Sequence, residues 1–261
     1  MSRFIFSALL AAIFTLGATA AHAELVKKTV EYKAAGKTFE GYVVYDDAAK
    51  GAQPGVLVTH DWMGLTDKTK ERADMVAKLG YVAFAVDVYG KGVRPANSDE
   101  AGKLAGQYKG DRKLLRERME AGLKELKAMK SVDKKRLAVI GYCFGGTAAL
   151  ELARDGADLK DVVTFHGGLD SPNPADGKKI KGKVLALHGA DDPFVPSKDV
   201  DAFEDELRQA GVDYQIVRYG HAVHSFTDKS AGTDNSKGAA YNPTADARSW
   251  QAMRDFFKDT L

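Results

Sequence analysis

The sequence predicts one α/β domain: a mostly parallel central sheet with helices on both faces and an antiparallel hairpin at its N-terminal edge. Three observations lead there. Short apolar, β-branched runs recur at 55–59, 81–86, 136–140, 161–165 and 183–187, and such continuous runs suit strands covered on both faces. Segments with helical character alternate with them, at 68–79, 113–129, 147–154, 198–210 and 245–258. Ahead of both, 26–32 and 38–45 alternate apolar and polar residues across Ala35-Gly36, the pattern of a hairpin with one buried face.

The first 23 residues stand apart from this domain. Arg3 precedes an apolar run from Phe4 to Leu16, and small residues end in Ala21-His22-Ala23, which is a secretory signal pattern. The run is too short to cross a bilayer comfortably as a helix. The mature chain is therefore expected to begin at Glu24, exported, with a bacterial periplasm as its compartment and the outside of the cell as the alternative. Residues 24–261 are ample for one sizeable core.

Charge narrows the partners. The formal net charge is +2 and no long block of like charges occurs, so neither nucleic acid nor a membrane surface is expected as a partner once the signal is removed. A monomer acting on a small molecule is the expected form. The chain has a single cysteine, Cys143. An exported chain with one thiol cannot close an internal disulfide, so this thiol needs a reason to be there, the plain alternative being a small buried residue.

Two stretches read as long connections, 89–110 and 227–238, and a last strand, 214–219, precedes the final helix. Long connections in compact domains are usually functional or disordered. Both lie near strand ends of the parallel sheet, where open α/β sheets place their ligands.

The chemistry concentrates at three points along the chain. Gly141-Tyr142-Cys143-Phe144-Gly145-Gly146 directly follows the strand at 136–140 and directly precedes a helical run. That context presents a nucleophile on a sharp strand-to-helix turn, and the flanking glycines let neighbouring backbones approach. The helix N-terminus then points at the sulfur and favours a thiolate and any oxyanion beside it. Downstream, Leu187-His188-Gly189-Ala190-Asp191-Asp192-Pro193-Phe194-Val195-Pro196 can present a carboxylate from Asp191 or Asp192 at the sheet edge. After the strand at 214–219, His221-Ala222-Val223-His224-Ser225-Phe226 supplies a histidine. The order nucleophile, acid, histidine is that of the α/β-hydrolase fold.

These motifs resemble those of the dienelactone hydrolase family, and the likeness runs from about Val26 to the C-terminus. The resemblance implies the α/β-hydrolase fold, Cys143 as nucleophile, Asp192 within Gly189 to Pro196 as acid, and His224 before Ser225-Phe226 as base. It also implies that the backbone N–H groups of Phe144 and Trp62, the latter in Thr59-His60-Asp61-Trp62-Met63-Gly64-Leu65, form the oxyanion hole. Asp61 stands where the family usually has a glutamate contacting the nucleophile's surroundings. Members acting on a carboxylate-bearing lactone place arginines where this chain has Lys91 and Asp228. Lys91 can still pair with an anion and Asp228 repels one, so the reaction is retained and the dienelactone itself discounted.

Tyr89 and Trp62 are candidates to line an apolar pocket, and Arg94 is a loop-surface candidate. His60, His166 and His188 read as hydrogen-bonded packing residues. No metal is expected: His221 and His224 fall in a loop rather than at helical i, i+4 spacing, with no further recognisable ligands. The expected reaction is cleavage of a small ester or lactone through a thioester on Cys143, without a cofactor. The alternatives are a non-catalytic ligand binder of the same fold, an acyltransferase, or a thiol redox protein.

Overall fold

The computed structural model describes residues 24–261; the expected signal segment at 1–23 falls outside the described residues. Its frame is an eight-stranded sheet: β1 (Leu25–Ala34), β2 (Lys37–Asp46), β3 (Gln53–Thr59), β4 (Val82–Val86), β5 (Val132–Tyr142), β6 (Asp161–Phe165), β7 (Lys183–Gly189) and β8 (Tyr214–Tyr219). The spatial order is β1-β2-β4-β3-β5-β6-β7-β8. β1 and β2 pair antiparallel, β2 joins β4 antiparallel, and the pairs from β4 through β8 are parallel. This is the α/β-hydrolase arrangement expected from the motif order, N-terminal hairpin included.

The helices are α1 (Asp67–Ala77), α2 (Ser98–Gly110), α3 (Arg112–Ala128), α4 (Phe144–Arg154), α5 (Ser197–Ala210) and α6 (Pro243–Lys258). Strand alternation sends side chains to two separate cores. From β3, Leu57 packs on one side with Leu115, Met119, Leu123, Leu150 and Phe203 of α3, α4 and α5. Val56 and Val58 pack on the other with Ala73 and Val76 of α1 and Met253 and Phe257 of α6.

One expectation is corrected. Residues 89–110 were expected to be a long connection, yet 98–110 form α2. The Asn97 side chain caps it by accepting from the Glu100 N–H at 3.0 Å, and Asp99 and Glu100 favour its first turn. Its apolar stripe is short, Ala101, Ala105 and Tyr108, and Gly102 and Gly106 interrupt the helical signal. The stretch 227–238 is the loop expected, with short 3₁₀ turns at Lys229–Ala231 and Asn235–Lys237. No helix among the described residues is long and apolar enough to cross a membrane.

Candidate active site

β5 is a central strand, and its C-terminal end turns within one residue into α4. That residue, Cys143, holds φ 54° and ψ −118°, a conformation costly for a side chain with a Cβ. Three backbone hydrogen bonds enforce it. The Cys143 N–H donates to the Phe165 carbonyl at 3.0 Å, and the Cys143 carbonyl accepts from Gly146 and Thr147 at 3.0 and 3.4 Å. The turn also needs absent side chains. A Cβ on Gly141 would stand 1.9 Å from the Gly145 carbonyl oxygen, and one on Gly145 would stand 2.4 Å from that of His60. The sulfur is left partly exposed at the helix N-terminus.

β7 ends at Gly189, and the turn before α5 presents Asp192. Its buried carboxylate accepts at Oδ1 from the N–H groups of Phe194 and Val195, at 2.8 and 3.2 Å. The other oxygen, Oδ2, accepts from His224 Nδ1 at 2.8 Å. His224 Nε2 lies 3.1 Å from Cys143 Sγ. The three side chains thus form one unbroken line. Burial opposes charge on His224, but Cys143 and Asp192 on either side outweigh it and push the imidazolium up to about 10. Asp191 and His221 are not in this line. Asp191 is exposed, with its N–H donating to the Ala222 carbonyl, and the exposed His221 offers its carbonyl to Asn235 and Asn242.

The long loop after β8 fixes His224 through its backbone. The His224 N–H donates to Gly238 at 3.1 Å and its carbonyl accepts from Ala240 at 3.0 Å. Phe194 sets its ring edge-to-face on the imidazole, with centroids 5.5 Å apart, and is otherwise largely exposed. On the opposite side His166 packs against His224 at 5.2 Å and bonds Thr227 Oγ1 at 2.8 Å. Burial holds His166 well below the ordinary histidine range, so the ring stays neutral beside the charged one. His188 is buried, which lowers it likewise.

The segment after β3 lies across from the elbow. Phe144 begins α4, so its N–H has no intrahelical acceptor. Trp62, which is partly exposed, is held on the other side. Its carbonyl accepts from Tyr89 Oη at 3.0 Å. The carbonyl of Asp61, in the same peptide plane as the Trp62 N–H, lies 2.6 Å from His60 Nδ1. Tyr89 itself is buried against His60, Tyr108 and Phe144, so it braces the Trp62 segment rather than lining an open pocket.

Comparison with known proteins bears on this geometry. The dienelactone hydrolase family matches residues 39–261. The chain belongs to the dienelactone hydrolase family. Among solved structures it is similar to m3DLH, with 42% identity, a TM-score of 0.87 and coverage of 91% of this chain and 99% of that one. It is also similar to a dienelactone hydrolase-like promiscuous phosphotriesterase from metagenomic libraries, with 41% identity, a TM-score of 0.86, and 90% and 98% covered. Among curated proteins, Protein usf of Aquifex pyrophilus is 29% identical over 89% of this chain and 98% of its own length. The chain is a dienelactone hydrolase-like hydrolase.

A cavity of about 310 Å³ opens at Cys143, and its walls include Asp61, Trp62, Tyr142, His166, Thr227 and Asp228. It also takes in Lys68 and Arg72 of α1, which sequence reasoning did not single out. The available signal was positional, since α1 follows the loop that ends β3 at the ligand edge of the sheet. Lys91 is not at the cleft. It pairs on the surface with Glu31 across the N-terminal hairpin, because the turn after Tyr89 runs back toward the Thr38 carbonyl. Arg94 is tied to the Leu65 carbonyl at 2.7 Å. The Asp61 carboxylate accepts from the Met63 N–H at 2.8 Å and makes no hydrogen bond to Cys143 among the described residues.

Proposed function

We propose that this hydrolase cleaves a small carboxylic ester or lactone through a thioester on Cys143, with His224 and Asp192 as its proton-handling partners. The observation that carries the reading is the line Asp192 Oδ2, His224 Nδ1 at 2.8 Å, His224 Nε2, Cys143 Sγ at 3.1 Å, set on a strained elbow. With the proton already on His224, the sulfur attacks the carbonyl carbon. The oxygen that gains charge is met by the Phe144 and Trp62 amides, donors fixed before the reaction begins. Collapse expels the alkoxide or enolate, which collects its proton from His224. Water, deprotonated by His224, then opens the thioester and returns the thiol. Asp192 keeps the imidazole in the tautomer and orientation that both half-reactions need.

A second substrate class uses the same residues. One relative at 41% identity is described as a promiscuous phosphotriesterase, so neutral phosphotriesters belong beside esters and enol-lactones in the assay. Attack of the sulfur at phosphorus expels one alkoxide or aryloxide, which collects its proton from His224, and leaves the phosphoryl group on Cys143; water deprotonated by His224 then breaks the P–S bond and returns the thiol. We also propose that residues 1–23 direct export and are removed before Glu24, which N-terminal sequencing of the periplasmic protein checks.

The test is initial rates for native protein, Cys143→Ala and Cys143→Ser on p-nitrophenyl esters, enol-lactones and a p-nitrophenyl phosphotriester. Cys143→Ala is expected to lose at least about a hundredfold. Equal, slow rates for native and alanine proteins on every substrate would overturn the hydrolase assignment to this thiol and favour ligand binding. Products formed in the presence of an added alcohol separate hydrolysis from acyl transfer.

A further inference from the structure

The charges around the cleft fall into two groups. Lys68 is bound: its ammonium meets Asp228 Oδ2 and Ser230 Oγ, both at 2.8 Å. Arg72 is bound as well, donating to the Thr227 carbonyl at 2.7 Å and Asp246 at 3.1 Å, with its face over the Tyr142 ring. Both cations of α1 are thus already matched by carboxylates, and Asp228 is neutralised in turn. Glu71 and Lys229 stand in solvent at the rim with opposite signs, where screening leaves them little influence. His224 sits between Cys143 and Asp192 and is held within that line.

What remains is Asp61. It forms no ion pair among the described residues, and only its Oδ1 accepts a hydrogen bond, from Met63. It lines the cleft beside Trp62 and Cys143 and lies within the first turn after β3. Burial pushes its carboxyl up from the ordinary aspartate value, as expected for a charge without a partner. An unpaired carboxylate in a confined site repels a like charge and attracts a cation or a hydrogen-bond donor.

We propose that Asp61 is the specificity-determining residue of this cleft, admitting neutral or cationic acyl groups and rejecting those that carry a carboxylate. The proposal rests on the ester hydrolase reading for its substrate class. The repulsion expected from Asp228 on sequence grounds is reassigned: Lys68 cancels it, and Asp61, one methylene shorter than the family's usual glutamate, carries it instead.

Two measurements at pH 8 test it. The first needs no enzymatic turnover. Cys143 is the only cysteine, so its alkylation by iodoacetate and by neutral iodoacetamide gives a charge-discrimination ratio at the sulfur, with iodoacetamide as control for folding and thiol reactivity. Asp61→Asn is expected to raise the iodoacetate-to-iodoacetamide ratio about fivefold. The second compares kcat/KM on p-nitrophenyl butyrate, mono-p-nitrophenyl succinate and the p-nitrophenyl ester of 4-(trimethylammonio)butyrate. Native enzyme is expected to prefer the neutral and cationic esters over the succinate, and Asp61→Asn to shrink the preference about fivefold. A ratio that Asp61→Asn leaves unchanged within twofold in the alkylation overturns the proposal. So does a native enzyme that takes the succinate as readily as the butyrate. If no ester turns over, the hydrolase reading fails by itself and the alkylation ratio still decides the role of Asp61.

Discussion

His60 touches no substrate-facing space, yet both of its ring nitrogens are engaged. Nε2 accepts from the Val88 N–H at 3.1 Å, so the proton sits on Nδ1 and is donated to the Asp61 carbonyl at 2.6 Å. Because a peptide is planar, holding that carbonyl aims the Trp62 N–H at the far side. Burial lowers the ring from its ordinary value and keeps it neutral, which preserves the tautomer. Sequence alone makes His60 a packing histidine, and no motif distinguishes the two roles. The difference lies in which two backbone groups it joins, one after β3 and one after β4. His60→Ala is expected to lower kcat about ten- to a hundredfold with KM changed only a few-fold, the signature of lost oxyanion alignment. His60→Asn, whose amide N–H can stand near the Nδ1–H position, is expected to recover part of it. A purely structural histidine would instead lower the amount of folded enzyme and leave kcat per active site, counted by thiol titration, as it was.

At the scale of elements, the site depends on how closely α4 approaches β3. Gly145 lies against the carbonyls of His60 and Thr59, where a Cβ would be 2.4 and 2.5 Å away. Gly145→Ala must therefore lift the start of α4 and part the Phe144 amide from the Trp62 segment. It is expected to cost about 3 kcal/mol in urea unfolding, at the upper end for overpacking, and at least about tenfold in kcat. Native activity in a stable variant would show that the strand end can yield. This junction also shows why some elements were readable from the residues. Strands β3 to β7 are apolar on both faces, and the elbow glycines announce a turn that only small residues permit. α2 was hidden because its stripe is short and broken by glycines. The contribution of α1 to the cleft was hidden because Lys68 and Arg72 look like an ordinary solvated face until Asp228 and Asp246, more than 150 residues later, fold onto them. Asp192 against Asp191 was decided by family likeness; spacing carries no information about which of two adjacent carboxylates turns inward.

Across the whole molecule, buried charge is placed at both ends of the sheet but handled differently. Near the back of α4, Arg154 is fully buried and is met by Glu151 at 3.0 Å and Glu206 at 2.7 Å, joining α4 to α5. At the start of β6, Asp161 is buried with less support. Thr260 donates to Oδ2, while Oδ1 is buried without a partner. Burial pushes this carboxyl from 3.8 up to about 6. The folded protein therefore binds this proton more tightly than the unfolded chain does. The stabilisation it gives is fully present below about pH 4 and is lost as pH rises through 6. Asp161→Asn keeps the shape and removes the charge. At pH 8 it is expected to unfold roughly 2 kcal/mol harder than native protein, given 1.36 kcal/mol per tenfold change in proton affinity, or about 5 °C higher in Tm. At pH 4 the difference should largely disappear. Tm measured at both pH values for both proteins checks this, and an equal gap at the two would mean that packing or hydrogen bonding, rather than the ionised carboxylate, sets the stability of this corner. The cleft lies at the opposite, C-terminal edge of the strands, so kcat on a neutral ester should not follow the stability change.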